Sequence, residues 1–125
     1  MKTIVAVSVL CAVGLAACGK AKAPEWTRIS AAGERVVYLD TANILVNAGV
    51  VYVTMQTRGD GVAPDAVGKP FGILHAEANC RAHLLEPSAL KEEQYAADGK
   101  HTGMRLISIS ADETEAVLTR ACAGR

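Results

Sequence analysis

His75, Glu77, Cys80 and His83 fall in one short window and carry the side chains that most often bind metal ions or move protons. Two imidazoles, a carboxylate and a thiolate make a transition-metal donor set. Geometry argues against it here. On an extended strand His75 and Glu77 share a face, His83 joins them only if the strand runs unbroken, and Cys80 points the opposite way. At about 3.3 Å per residue the two histidines lie more than about 20 Å apart. These residues read as the polar, solvated face of a sheet, and neither a metal nor a cofactor is expected. No Gly-x-Ser-x-Gly turn and no His-Glu-x-x-His pair marks a nucleophile or a zinc site. Gly59, Gly61 and Gly68 form no phosphate loop, because no Lys-Ser or Lys-Thr follows them and no helix opens there. The chain reads as non-enzymatic.

Two features suit binding instead. Arg58-Gly59-Asp60 opens a long loop reaching Pro70, and its guanidinium and carboxylate can project apart towards separate charges on a partner. It is similar to the tripeptide that integrins recognise, although three-residue motifs arise easily by chance and the run is first of all good turn chemistry. Among the aromatics Trp26, Tyr38, Tyr52 and Tyr95, Tyr52 stands out. Its neighbours Val51 and Val53 claim the buried face of the strand, leaving Tyr52, Thr54 and Gln56 for a protein contact or a homodimer surface.

The cysteines divide by position. Met1 to Ala17 has Lys2 as its only charge, is apolar from Ile4 onward, and ends in small residues before Cys18. That is the layout of an export signal. The run is too short for a spanning helix, which needs about 20 apolar residues. Leu15-Ala16-Ala17-Cys18 resembles the lipobox of bacterial lipoproteins, which implies cleavage before Cys18 and lipid on its thiol. The rival cut after Ala23 would put Pro24 next to the scissile bond, and Leu10 before Cys11 is too large for a lipobox. Gly19 after the cysteine implies the outer membrane in a two-membrane host. Two acyl chains suffice for stable anchoring. Residues 1–17 are thus the expected signal peptide, 18–23 a lipidated tether and 24–125 the folded domain. Cys80 and Cys122 remain, and two cysteines in an exported domain read as one disulfide.

The 125-residue chain carries 13 basic and 13 acidic residues, so no basic stripe exists to engage nucleic acid. The partners expected are the membrane, through Cys18, and another protein. About 108 residues after the signal are enough for one domain and too few for two.

The elements that must position these residues are mostly strands. Strand character begins near Trp26, Glu34 to Leu39 is β-rich, and Asp40 to Asn43 supplies a turn with side chains able to bond nearby amides. Asn47-Ala48-Gly49 reads as a three-residue hairpin loop. Val50 to Thr57 alternates cleanly. Phe71 to Leu85 is extended with a break near Asn79-Cys80, and Glu86-Pro87-Ser88 ends it. Leu90 to Ala97 fits strand or helix by pattern, and the turn at Asp98-Gly99-Lys100 favours a hairpin with a strand from Met104 to Ser110. Ser110-Ala111-Asp112-Glu113 has the form of a capping box opening a helix with Val117, Leu118 and Ala121 on one face. The order gives an α+β fold: an antiparallel β-sheet with a C-terminal α-helix pinned by Cys80–Cys122.

Taken in order, Trp26, Tyr38 and Asp40, the Val50 to Thr57 strand, Asn79-Cys80-Arg81, Tyr95 with Asp98-Gly99-Lys100, and a helix ending at Cys122 resemble the surface-adhesin protein E family of small bacterial lipoproteins. The resemblance spans roughly Pro24 to Ala123. It implies an antiparallel sheet with a disulfide-pinned helix and an adhesin-like binding domain. A periplasm-facing structural module, or an inhibitor or accessory subunit of an envelope enzyme, is the alternative.

Overall fold

The computed structural model describes residues 22–32 and 35–125. Cys18, the expected signal peptide and most of the expected tether lie outside the described residues. The rest forms one antiparallel sheet and one helix, as the element order predicts.

The sheet is a meander. Strands β1 (Trp26–Ala32), β2 (Arg35–Asp40), β3 (Leu45–Asn47), β4 (Val50–Gly59), β5 (Phe71–Asn79), β6 (Leu84–Glu86), β7 (Leu90–Tyr95) and β8 (His101–Ile107) follow in chain order. The lateral order is β1-β2-β4-β5-β7-β8. β3 continues the β2 row alongside β4, and β6 continues the β7 row alongside β5. Hairpin connections suffice because every pairing is antiparallel, and the 60–70 loop between β4 and β5 is a long one.

The breaks have local causes. After β2, Asp40 Oδ1 accepts the Glu25 and Ala42 amides at 3.1 Å each, and its Oδ2 accepts from Asn43 Nδ2 at 3.0 Å. This is the Asx chemistry expected of Asp40. The next hairpin is tighter than the three-residue loop expected. Asn47 pairs with Val50, and the two turn residues Ala48 (φ 54°) and Gly49 (φ 82°) both adopt left-handed backbone. Positive φ at both positions is the turn that matches strand twist. β8 starts at His101 instead of Met104, because the turn bonds Ala96 N–H to Lys100 C=O and brings the chain into register at once. Residues 108–110 lead into the helix instead of extending the strand.

Helix α1 (Ala111–Ala121) starts as its sequence directs. Ser110 Oγ accepts from Glu113 N–H at 3.1 Å, and Glu113 Oε1 accepts from Ser110 N–H at 2.8 Å. Two orphan donors are satisfied reciprocally. The helix buries Val117, Leu118 and Ala121 against Val37, Leu39, Val51, Val53, Met55, Leu74 and Leu90. Burying each large aliphatic contributes about 1.5–3 kcal/mol. At its end Cys122 joins Cys80 across a Cα separation of 5.5 Å. The pair ties the helix to the β5–β6 turn.

The face under the helix is concave. Four strand spacings separate β2 from β8, or about 19 Å in a flat sheet at roughly 4.8 Å each. Yet Arg35 of β2 donates from Nη2 to the carbonyl of Ser108, one residue past β8, at 3.3 Å. The sheet therefore curls towards closure. Register shifts in β1–β2 and β7–β8 supply local bends. The helix enters this hollow beside Arg35 and leaves it beside Cys80, filling one end.

Candidate functional site

The hollow's other end is open and polar. It forms a cleft of about 440 Å³ at the end of the sheet that carries the Ala96–Lys100 turn and the 60–70 loop. Its floor is built by strand alternation. Val53, Met55 and Thr57 point inward along β4, and their partners Ala76, Leu74 and Gly72 face them from β5. Leu90 and Glu92 do the same on β7. Apolar residues therefore line the helix-covered half, and Thr57, Glu92 and Arg105 the open half, which Phe71 and Tyr95 also border.

Glu92 is the centre of the open half. It is 2 % exposed, and both carboxylate oxygens are engaged. Oε1 accepts from Arg105 Nε at 2.7 Å, and Oε2 accepts from the Thr57 hydroxyl. Its side chain lies directly over Gly72, where a Cβ would come within 2.6 Å of Glu92 Cγ and closer still to Thr57 Oγ1. Glycine is needed there for close approach. A buried carboxylate is tolerable only when paired and hydrogen-bonded, and this one is both.

A second ion pair lies behind it. Glu113 is fully buried, and Arg35 Nη2 approaches its Oε1 at 3.5 Å. Arg35 Nε and Glu113 Oε2 are buried without a hydrogen-bond partner. Such groups are rare and costly. Arg35 and Arg105 both line the cleft, with side chains 24 % and 60 % exposed. The lining thus offers the guanidinium groups of Arg35 and Arg105, besides that of Arg58, and one carboxylate with both oxygens hydrogen-bonded.

The opposite, convex face holds the residues singled out for binding. Tyr52 is 39 % exposed, beside the exposed Leu45 with which it pairs across strands. Gln56, expected on a solvated face with Tyr52, is instead 4 % exposed. The 60–70 loop folds over this half of the face, with Tyr38 Oη donating to the Val62 carbonyl at 3.0 Å. Arg58 is also covered. It is 7 % exposed and donates to the carbonyls of Pro64 (3.0 Å) and Lys69 (3.3 Å) and to Gln56 Oε1, while its guanidinium stacks 4.9 Å above the Phe71 ring. Burial lowers the Arg58 pKa from its ordinary value, opposed by Asp65 and then Tyr38. Within Arg58-Gly59-Asp60, only Gly59 and Asp60 are exposed. The arginine does not project from the loop as its sequence position suggested: it holds the loop down. Phe71 stacks in turn on Tyr95, with ring centroids 4.9 Å apart.

The histidine window is dispersed. His75 meets Thr54 on the convex face, Cys80 is in the disulfide, and His83 lies beyond the turn at 2.8 Å from Glu115 of the helix. Among the described residues no three of His, Cys, Asp or Glu gather to hold a metal ion, and no helix is long and apolar enough to cross a membrane.

Sequence reasoning missed Glu92, Arg105, Arg35 and the buried role of Glu113. The local signal for Glu113 was its place in the capping box. For the others, the clue was an alternation that puts Glu92 on the same side of β7 as Leu90. Comparison with protein-family models, curated proteins and solved structures finds no match for this chain.

Proposed function

We propose that this is a lipid-anchored cell-envelope protein whose domain binds another macromolecule and performs no chemistry. The observation that carries the reading is Leu15-Ala16-Ala17-Cys18 ahead of a domain locked by the Cys80–Cys122 disulfide. The lipobox-like run supplies the anchor, and a structural disulfide fits an oxidising compartment. The start of the domain suits a tether. Lys22 exchanges two hydrogen bonds with the Asn43 side chain, at 3.1 and 3.0 Å, so the fold is fastened close behind Cys18. Gly19 favours the outer membrane.

The binding surface in this reading is the convex face around Tyr52, where an amphipathic ring beside Leu45 and Thr54 offers apolar area with a polar tip. The buried charged side chains support a non-catalytic domain, because Asp40, Arg58 and Glu92 are each spent on neighbouring groups. A second reading, a module acting through self-association, draws on the exposed Met104 and Leu106 of the edge strand β8.

Fractionation tests the anchor. Cys18→Ala is expected to move the protein from membranes to the soluble envelope fraction with its disulfide intact. Retention of the variant in membranes refutes the anchor. Tyr52→Glu is expected to abolish cross-linking to the envelope partner while leaving the melting temperature unchanged. Undiminished cross-linking removes the convex face from the account.

A further inference from the structure

We infer that the open end of the concave sheet is a binding site for a small carboxylate, held by Arg35 and Arg105 over the Gly72 floor. The cleft holds about 440 Å³, inside the roughly 300–1,000 Å³ span of small-molecule sites. Its charged lining is asymmetric. Glu92 is buried and already has an oxygen engaged by each of Thr57 and Arg105. The guanidiniums have donors to spare. Arg105 gives its Nε to Glu92, and its terminal nitrogens make no hydrogen bond among the described residues, in a cleft-lining side chain 60 % exposed. Arg35 meets its acceptors at 3.5 Å and 3.3 Å, both long, and its buried Nε meets none.

An arginine carries five N–H donors in a planar fork that matches a carboxylate's two oxygens. A carboxylate entering the cleft supplies acceptors to the guanidinium nitrogens that stay open to it. Gln94 and Thr102 line the same wall and offer further hydrogen bonds to the rest of the ligand. Size and chemistry point to a free dicarboxylate or amino acid, or to the carboxyl end of a peptide chain. The site lies on the opposite side of the sheet from Tyr52, and its test does not depend on the anchor.

The experiment is calorimetric titration of the full-length protein in detergent micelles with succinate, N-acetyl-alanyl-alanine, the amide of that dipeptide, and inorganic phosphate. Saturable binding of at least one carboxylate is expected, with none for the amide. Succinate binding in preference to the dipeptide identifies a free small acid, and the reverse identifies a chain terminus. Arg105→Gln is expected to weaken binding by about tenfold or more, since one charge-assisted contact is lost. The new amide still donates to Glu92, so the melting temperature reports whether the fold is kept. Thr102→Trp fills the cleft from an exposed position without removing a charge and is expected to abolish binding. Lys100→Gln removes a cation outside the cleft and is expected to change nothing. The inference is overturned if neither carboxylate saturates, if the amide binds as well, if phosphate binds more tightly than both, or if Lys100→Gln weakens binding as much as Arg105→Gln.

Discussion

Replacing Gly72 by alanine tests the polar end of the fold at its tightest point. The new methyl would stand within 2.6 Å of Glu92 Cγ and Oε2 and closer still to the Thr57 hydroxyl. None of these neighbours can swing aside freely. Thr57 is 5 % exposed and β-branched, and Glu92 is 2 % exposed and held at both oxygens. Overpacking a site of this kind costs about 1–3 kcal/mol. Displacing Glu92 also breaks its bond with Thr57, a further ~1 kcal/mol. The sum is about 2–4 kcal/mol. For a domain of this size that lowers the melting temperature by roughly 8–32 °C, at about 4–8 °C per kcal/mol. Gly103→Ala is the matched control. Its Cβ would meet nothing nearer than Gln94 Oε1 at 3.9 Å, so a change within about 0.5 kcal/mol is expected. Urea unfolding followed by Trp26 fluorescence measures both. If Gly72→Ala unfolds within 0.5 kcal/mol of the parent, Glu92 does not lie over Gly72 and the description of the cleft floor is wrong.

Three further changes probe separate supports. Cys80→Ser opens a loop of sequence separation 42 and is expected to cost up to about 4 kcal/mol, with faster amide exchange in α1; free thiols at both positions in the oxidised protein would refute the pairing. Ser110→Ala removes the helix cap and is expected to cost about 1 kcal/mol by denaturant titration, and no loss would mean the capping box bears no load. Arg58→Met removes the donors to Pro64 and Lys69 and is expected to make residues 60–70 the first site of limited proteolysis, whereas an unchanged cleavage pattern would contradict the arginine's role in holding the loop.

Local signals made much of this fold legible. The alternation of Val51, Val53 and Met55 gave the buried side of β4 directly, and the Ser110–Glu113 spacing gave the helix start to the residue. Asp40 announced its turn because an Asx side chain bonds amides only a few positions away. The Cys80–Cys122 pairing followed once Cys11 and Cys18 were assigned to the signal and the lipid. The polar end was not legible in the same way. Thr57 and Glu92 meet because β4 and β7 flank the bare Gly72 of β5, and Arg35 reaches Ser108 because the sheet curls. Both depend on register and curvature summed over several strands, which no short window encodes. Gln56 and Arg58 looked solvated for a related reason. Their strand face is polar by pattern, and the 60–70 loop that covers it bonds through backbone carbonyls, which leave no mark in the side-chain sequence.

Lipid on Cys18 that hangs this domain from a membrane is the central proposal. Mass spectrometry of the N-terminal fragment of the protein purified from its native envelope tests it most directly. The expected fragment begins at Cys18 and carries a diacylglyceryl group on its thiol. An unmodified fragment beginning at Met1, or at Pro24 after a cut behind Ala23, contradicts it.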